Sequence, residues 1–107
     1  MPWTVEFKDA IVEAEFEDLT DDLQARFFRI TNLIAAVGAP FVREPHVKSL
    51  GDGLFEMRMQ GKDAIARALY VIAKVERVVV VLVFVKKAQQ TPKRVIELAR
   101  ERAKEVK

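Results

Sequence analysis

Val78 to Val85, VVVVLVFV, is an unbroken apolar run rich in β-branched residues, and it stops at Lys86 and Lys87. The composition and shortness of the run mark a strand, and a strand with no polar alternation has to be buried on both faces. The chain must therefore build a sheet around this segment. The two lysines at its end are then held at the rim of the core, which is how a small fold makes a fixed cationic site.

The rest of the chain is consistent with one globular domain spanning residues 1–107: half of the residues are apolar and 32% are charged. There is no cysteine, which excludes a disulfide scaffold and thiolate chemistry. MPWTVEFKD lacks the basic start and apolar centre of a secretory signal, and the run at Val78 is too short to span a bilayer, so a cytoplasmic protein without membrane contact is expected. The net charge of +2 conceals an asymmetry: residues before Gly51 sum to −4 and those from Gly51 onward to +6. The basic half is where a polyanion would dock, although two solvated charged faces would give the same count.

Trp3 to Phe7 reads as a first strand. Ala10, Ile11, Ala14 and Leu19 fall near helical spacing and suggest a short amphipathic helix. Thr20, followed by Asp21 and Asp22, should cap a second helix whose stripe is Leu23, Phe27, Ile30, Leu33, Ile34 and Val37, with Gly38 and Pro40 as the stop. Ala39 to Gly53 reads as a connection in which HVKSL can be extended. Strands are predicted over Leu54–Gln60, Ile65–Ala73 and Val78–Val85, joined by hairpin-length turns. Thr91 and Pro92 open a last helix. Its Val95, Ile96, Leu98, Ala99 and Ala103 should dock, leaving Arg94, Arg100, Arg102 and Lys104 in water. The expected class is α+β, in the order strand, two helices, three strands, helix. Helices should pack on one face of a mainly antiparallel sheet and leave the other partly open.

The usual catalytic signatures are absent: there is no Gly-rich phosphate loop, no cluster with metal-ligand spacing and one histidine. His46 can meet a phosphate or move a proton, or merely hydrogen-bond within its loop. What stands out is a set of cations on or beside the expected sheet: Lys48, Arg58, Arg67, Lys86 and Lys87. Arg67 lies in the otherwise apolar AIARALYVIA, and an unpaired buried guanidinium is costly, so it must reach an anion. An ion pair with Glu56 across the hairpin and a phosphate contact both meet that need. Tyr70 reads as a core aromatic, with base stacking as the other option. Such cations bind RNA phosphates and can also cleave RNA through its own 2′-hydroxyl. That reaction needs a base, an acid for the leaving 5′-oxygen and positive charge on the phosphorane, but no metal or cofactor. Lysines crowded by cations are depressed in pKa and can act as the base, while arginines stay charged.

Taken together, KSLGDGLFEMRM, IARALYVI and FVKKAQQTPKRVIELA resemble the RelE/HigB superfamily of type II toxins, in particular its phage-derived HigB-like branch. The resemblance covers nearly the whole chain and implies a ribosome-dependent endoribonuclease that cuts mRNA, neutralised by an antitoxin that in this branch is commonly a helix-turn-helix protein. It assigns catalysis to Arg58, Arg67, Lys86 and Lys87, and RNA or ribosome contacts to Lys48, Lys93 and Arg94, with His46 as a further candidate. It assigns no general base, because no histidine or tyrosine stands beside the last strand. Two other readings are a gyrase-directed toxin of the same superfamily and a degenerate, non-enzymatic binding module kept for its antitoxin.

Overall fold

The computed structural model describes residues 3–86 and 90–107, so Lys87 lies outside the described residues. The order is β1 (Thr4–Phe7), α1 (Ala10–Glu17), α2 (Asp21–Val37), a 3₁₀ turn (Ala39–Phe41), β2 (Val47–Gly51), β3 (Leu54–Gln60), β4 (Ile65–Ala73), β5 (Arg77–Lys86) and α3 (Lys93–Ala103). The strands form one sheet in the order β1-β5-β4-β3-β2, antiparallel except for the β1–β5 pair. The expected α+β class holds. The sheet gains a fifth strand because HVKSL pairs with β3 through Val47 and Met57.

Helices occupy both faces, which corrects the expectation of one covered face. α1 and α2 bury Val12, Phe16, Leu23, Phe27, Ile30 and Ile34 against Met57, Met59, Ala66, Ala68, Val78 and Val80. On the opposite face α3 sets Val95, Ile96, Ala99 and Ala103 against Leu54, Leu69, Val79, Val81 and Leu82. The physical reason lies in β4 and β5: both of their faces are apolar, so each face needs a cover, and the short α3 provides one over half the sheet. The register slips where Leu69 faces Leu82 but Tyr70 faces Val80, leaving Val81 as an extra residue. This bulge reverses the alternation along β5, so Val80 and Val83 share one core while Val81 and Leu82 share the other.

The helices start as their sequences dictate. Thr20 accepts the Leu23 N–H at 3.3 Å and Asp9 accepts that of Val12 at 3.1 Å, capping α2 and α1. Phe7, Phe16 and Phe27 meet with centroids 4.7–5.8 Å apart and fasten both helices to β1. In α1 the buried residues are Val12 and Phe16, whereas Ile11 is exposed; in α2 Leu33 and Val37 are also on the wet side.

Arg100 and Arg102, expected in water, are tied to backbone. Arg100 donates to the carbonyls of Leu50 and Gly51. Arg102 donates to the Val81 carbonyl at 2.9 Å and forms a two-pronged ion pair with Glu15. Glu15 in turn accepts the Val83 N–H at 3.0 Å. β1 pairs with β5 only as far as Val80, so these two side chains satisfy the edge of β5 that β1 leaves bare.

Gly61, in the turn between β3 and β4, lies close against the start of α2. A Cβ there would stand 2.8 Å from Asp22 Oδ2, 2.8 Å from Leu23 Cδ2 and 2.9 Å from the Ala64 carbonyl oxygen. Asp22 Oδ2 is fixed by accepting the Lys62 N–H at 2.7 Å, and this bond holds its carboxyl below the usual aspartate range. Gly61→Ala should therefore cost about 1–3 kcal/mol, seen as a lower urea midpoint with unchanged slope.

Candidate phosphate site

The cations converge because of strand register. Arg58 on β3 is directly opposite Arg67 on β4, and Arg67 is directly opposite Phe84 on β5, so all three project to the α3 face. Lys86, paired with Ile65, lies two residues further along that face, and Lys48 on β2 is opposite Glu56 on β3. α3 covers only the half of this face built from Leu54, Leu69 and Leu82. The cations lie on the other half.

At their centre is a buried carboxylate. Glu56 is 3% exposed and Arg67 6%. Glu56 Oε1 lies 3.4 Å from Arg58 Nε and 3.6 Å from Arg67 Nε, and Oε2 accepts a 2.6 Å hydrogen bond from Thr91 Oγ1. The cross-hairpin ion pair is therefore present. It is long, and Arg67 Nε has no hydrogen-bond partner, while its Nη1 reaches the Ala66 carbonyl at 3.3 Å. One carboxylate faces two guanidiniums, with Lys48 and Lys86 nearby. Burial, Glu56 pulling the other way and Arg58 together lower the pKa of Arg67. The Lys86 ammonium is also pushed below the ordinary lysine value, by loss of solvent and by the charges of Arg67, Arg58 and Lys48, with Glu56 opposing.

Two clefts flank this cluster. One of about 290 Å³ opens under the start of α3 and is lined by Lys48, Glu56, Arg58, Gln90 and Thr91. The other, about 420 Å³, opens at the edge of the sheet toward α2 and is lined by Arg26, Arg29, His46, Arg58, Gln60 and Arg67. Arg58 forms the wall between them. Thr91, expected to cap the last helix, spends its hydroxyl on Glu56 instead, and the N-cap position is taken by Pro92 without a side-chain bond. Lys93 and Arg94 are exposed on the first turn of α3, where cations oppose the helix dipole and an anion would relieve them.

His46 is exposed beside the larger cleft, and its carbonyl accepts the Arg58 N–H at 2.8 Å. Tyr70 is buried on the opposite face, stacked on Phe55 at 5.5 Å, and burial pushes its hydroxyl pKa up. That placement excludes it from stacking on a base at the cations. Among the described residues no group of three or more His, Asp or Glu side chains could hold a metal ion, and no helix is long and apolar enough to cross a membrane. The sequence reading did not identify Arg26 and Arg29. Their spacing of three on the polar side of α2 was the available signal.

Residues 14–104 match the family described as Phage derived protein Gp49-like (DUF891). The chain belongs to this family. The Gp49-like proteins are a RelE/HigB-like toxin family, and the fold of this member agrees. It is similar to a chain in the crystal structure of the archaeal RelE-RelB complex from Pyrococcus horikoshii OT3. The TM-score is 0.56 and the identity 20%, over 78% of this chain and 93% of that one. At that identity the similarity concerns the fold. Among curated proteins none matches the sequence. The family match and the RelE-like fold of this Gp49-like chain agree with each other.

Proposed function

We propose that this Gp49-like toxin is a metal-independent endoribonuclease that cuts mRNA on the ribosome. The observation that carries the reading is the convergence of Arg58, Arg67 and Lys86 on one half-open sheet face, with a single carboxylate among them. Excess positive charge in a partly dry setting is what a pentacoordinate phosphorane requires. Lys86, with its lowered pKa, is the group best suited to take the 2′-hydroxyl proton. Arg58 and Arg67 hold the phosphate oxygens, and Glu56, itself held by the Thr91 hydroxyl, positions the arginines. Lys87 shares the cationic role by its sequence position next to Lys86. Lys48 and His46 line the clefts, Lys93 and Arg94 stand exposed on the first turn of α3, and all four contact RNA or ribosome backbone.

The structural neighbour was solved as a RelE-RelB complex, which supports an antitoxin as partner here too. The antitoxin, a helix-turn-helix protein in the motif-based reading, neutralises the toxin by covering the basic face or by holding α3. A cytoplasmic location follows from a ribosomal target.

Expression in a bacterium tests the reading. The unmutated chain should arrest growth and fragment transcripts, while Arg67→Ala, with folding checked by circular dichroism, should do neither. Arrest with intact transcripts and broken DNA would indicate gyrase instead. No arrest at high expression, with tight binding to a neighbouring gene product, would mark a binding module.

A further inference from the structure

The cleft on the α2 side adds two arginines, not yet given a role, to Arg58 and Arg67. Four arginines line it, Arg26 and Arg29 from α2, Arg58 from β3 and Arg67 from β4, and no carboxylate does. Arg26 has a long ion pair along its own helix, donating to Asp22 Oδ1 at 3.5 Å, while Asp22 Oδ2 accepts the Lys62 N–H. Among the described residues the Arg29 side chain has no hydrogen bond or ion pair. Independently, Arg67 is more than nine-tenths buried and its Nε lacks a hydrogen-bond acceptor. Arg67 itself lines the cleft, and its ion-pair partner, Glu56, is 3.6 Å away and shared with Arg58, so an oxyanion in the cleft would supply charge that the guanidinium lacks.

At about 420 Å³ the cleft has the size of a small-ligand site. Planar guanidiniums from two elements facing one space favour a tetrahedral phosphate group, which can accept from several of them at once. His46 and Gln60 add neutral donors at the mouth. Arg58 and Arg67 line this cleft and Arg58 also lines the other, so an anion held by Arg26 and Arg29 would neighbour a phosphate held by Arg58 and Arg67.

We infer that the α2-side cleft is a second phosphate site, in which Arg26 and Arg29 hold the backbone of the RNA strand beside the phosphate being cleaved. The strand then crosses the sheet edge at β3, from the start of α3 to the middle of α2. The assignment to RNA rests on the function proposed above; the phosphate chemistry does not. A basic stripe on α2 also means that the acidic first half of the chain carries part of the nucleic-acid surface.

The test uses the full chain and Nε–H signals of its arginines in NMR, first with inorganic phosphate and then with a short 2′-O-methyl oligoribonucleotide, which cannot be cut. Phosphate should move Arg29, Arg58 and Arg67 on one isotherm and leave Arg43, an exposed arginine elsewhere, in place. The oligonucleotide should move the same signals. In Arg26→Gln/Arg29→Gln its affinity should fall less steeply with salt, by about 1.4 in the log–log slope for two lost contacts. Equal movement of Arg43, or an unchanged slope in the double variant, overturns the site. Phosphate binding without oligonucleotide binding overturns the strand assignment. Transcript cleavage in cells reports separately: if the slope is unchanged while cleavage persists, the second site falls and the ribonuclease reading stands. If the slope changes but transcripts stay whole, the ribonuclease reading falls and the cleft keeps its strand.

Discussion

Glu56→Ala is expected to lower the stability of the fold by about 3–5 kcal/mol, because it strips the carboxylate that pairs with two facing guanidiniums, one of them buried. A domain of this size has a total stability of roughly 5–15 kcal/mol, so much of the population would unfold near body temperature. The mechanism is the charge left behind, and that can be checked. Glu56→Leu combined with Arg67→Met removes both members of the pair and should return most of the stability, since apolar replacements of buried ion pairs are often neutral or better. Glu56→Gln should fall between, as it can still accept from Thr91. Urea melts of the four proteins decide the matter: a double variant as unstable as Glu56→Ala would show that packing, and not charge balance, fixes this position. The double variant should stay inactive even when folded.

Lys86→Met should slow transcript cleavage by about 10²–10⁴-fold, the range for losing a positioned proton acceptor, with little change in melting temperature because the side chain lies at the rim. Its pH dependence is the sharper readout. A lysine acts as a base only when neutral, and loss of solvent, followed by the charges of Arg67, Arg58 and Lys48, lowers the Lys86 pKa while Glu56 offsets part of their effect. The neutral fraction therefore grows with pH, and the single-turnover rate should rise tenfold per unit and level off below the ordinary lysine value of 10.5. Lys86→Arg keeps the charge but cannot lose its proton, so it should bind substrate and lack the rise. A rate that stays flat with pH in the unmutated chain, or a rise that survives in Lys86→Arg, would move the base elsewhere.

The strands were legible because their signals are local. Alternation in LFEMRMQ and the turn residues around it define β3 and β4 to the residue, and the apolar run defines β5 apart from its ends. The cation site followed, since register in a hairpin is nearly forced and sets Arg58 against Arg67. What failed depended on partners distant in sequence. α1 has only two turns, so Ile11 and Val12 compete for the buried side on nearly equal terms, and β5 decides. Arg100 and Arg102 look like a wet helix face until one sees that a bulge and a bare strand edge present carbonyls to them. Thr91 looks like a cap because nothing nearby shows that Glu56 will claim it. Arg26 and Arg29 disappeared into a negative sum, because a tally along the chain averages over faces that the fold separates.

The Glu15–Arg102 pair has a consequence for behaviour at high concentration. β5 beyond Val80 is a valine-rich stretch that β1 does not pair, and without the two side chains its Val81 carbonyl and Val83 N–H would be open to pairing with another copy of the chain. One residue from each side of the sheet closes it, and Arg102 sits near the end of the final helix. Loss of that helix, by proteolysis or truncation, would thus do more than bare an apolar face: it would turn the chain into a seed for its own precipitation.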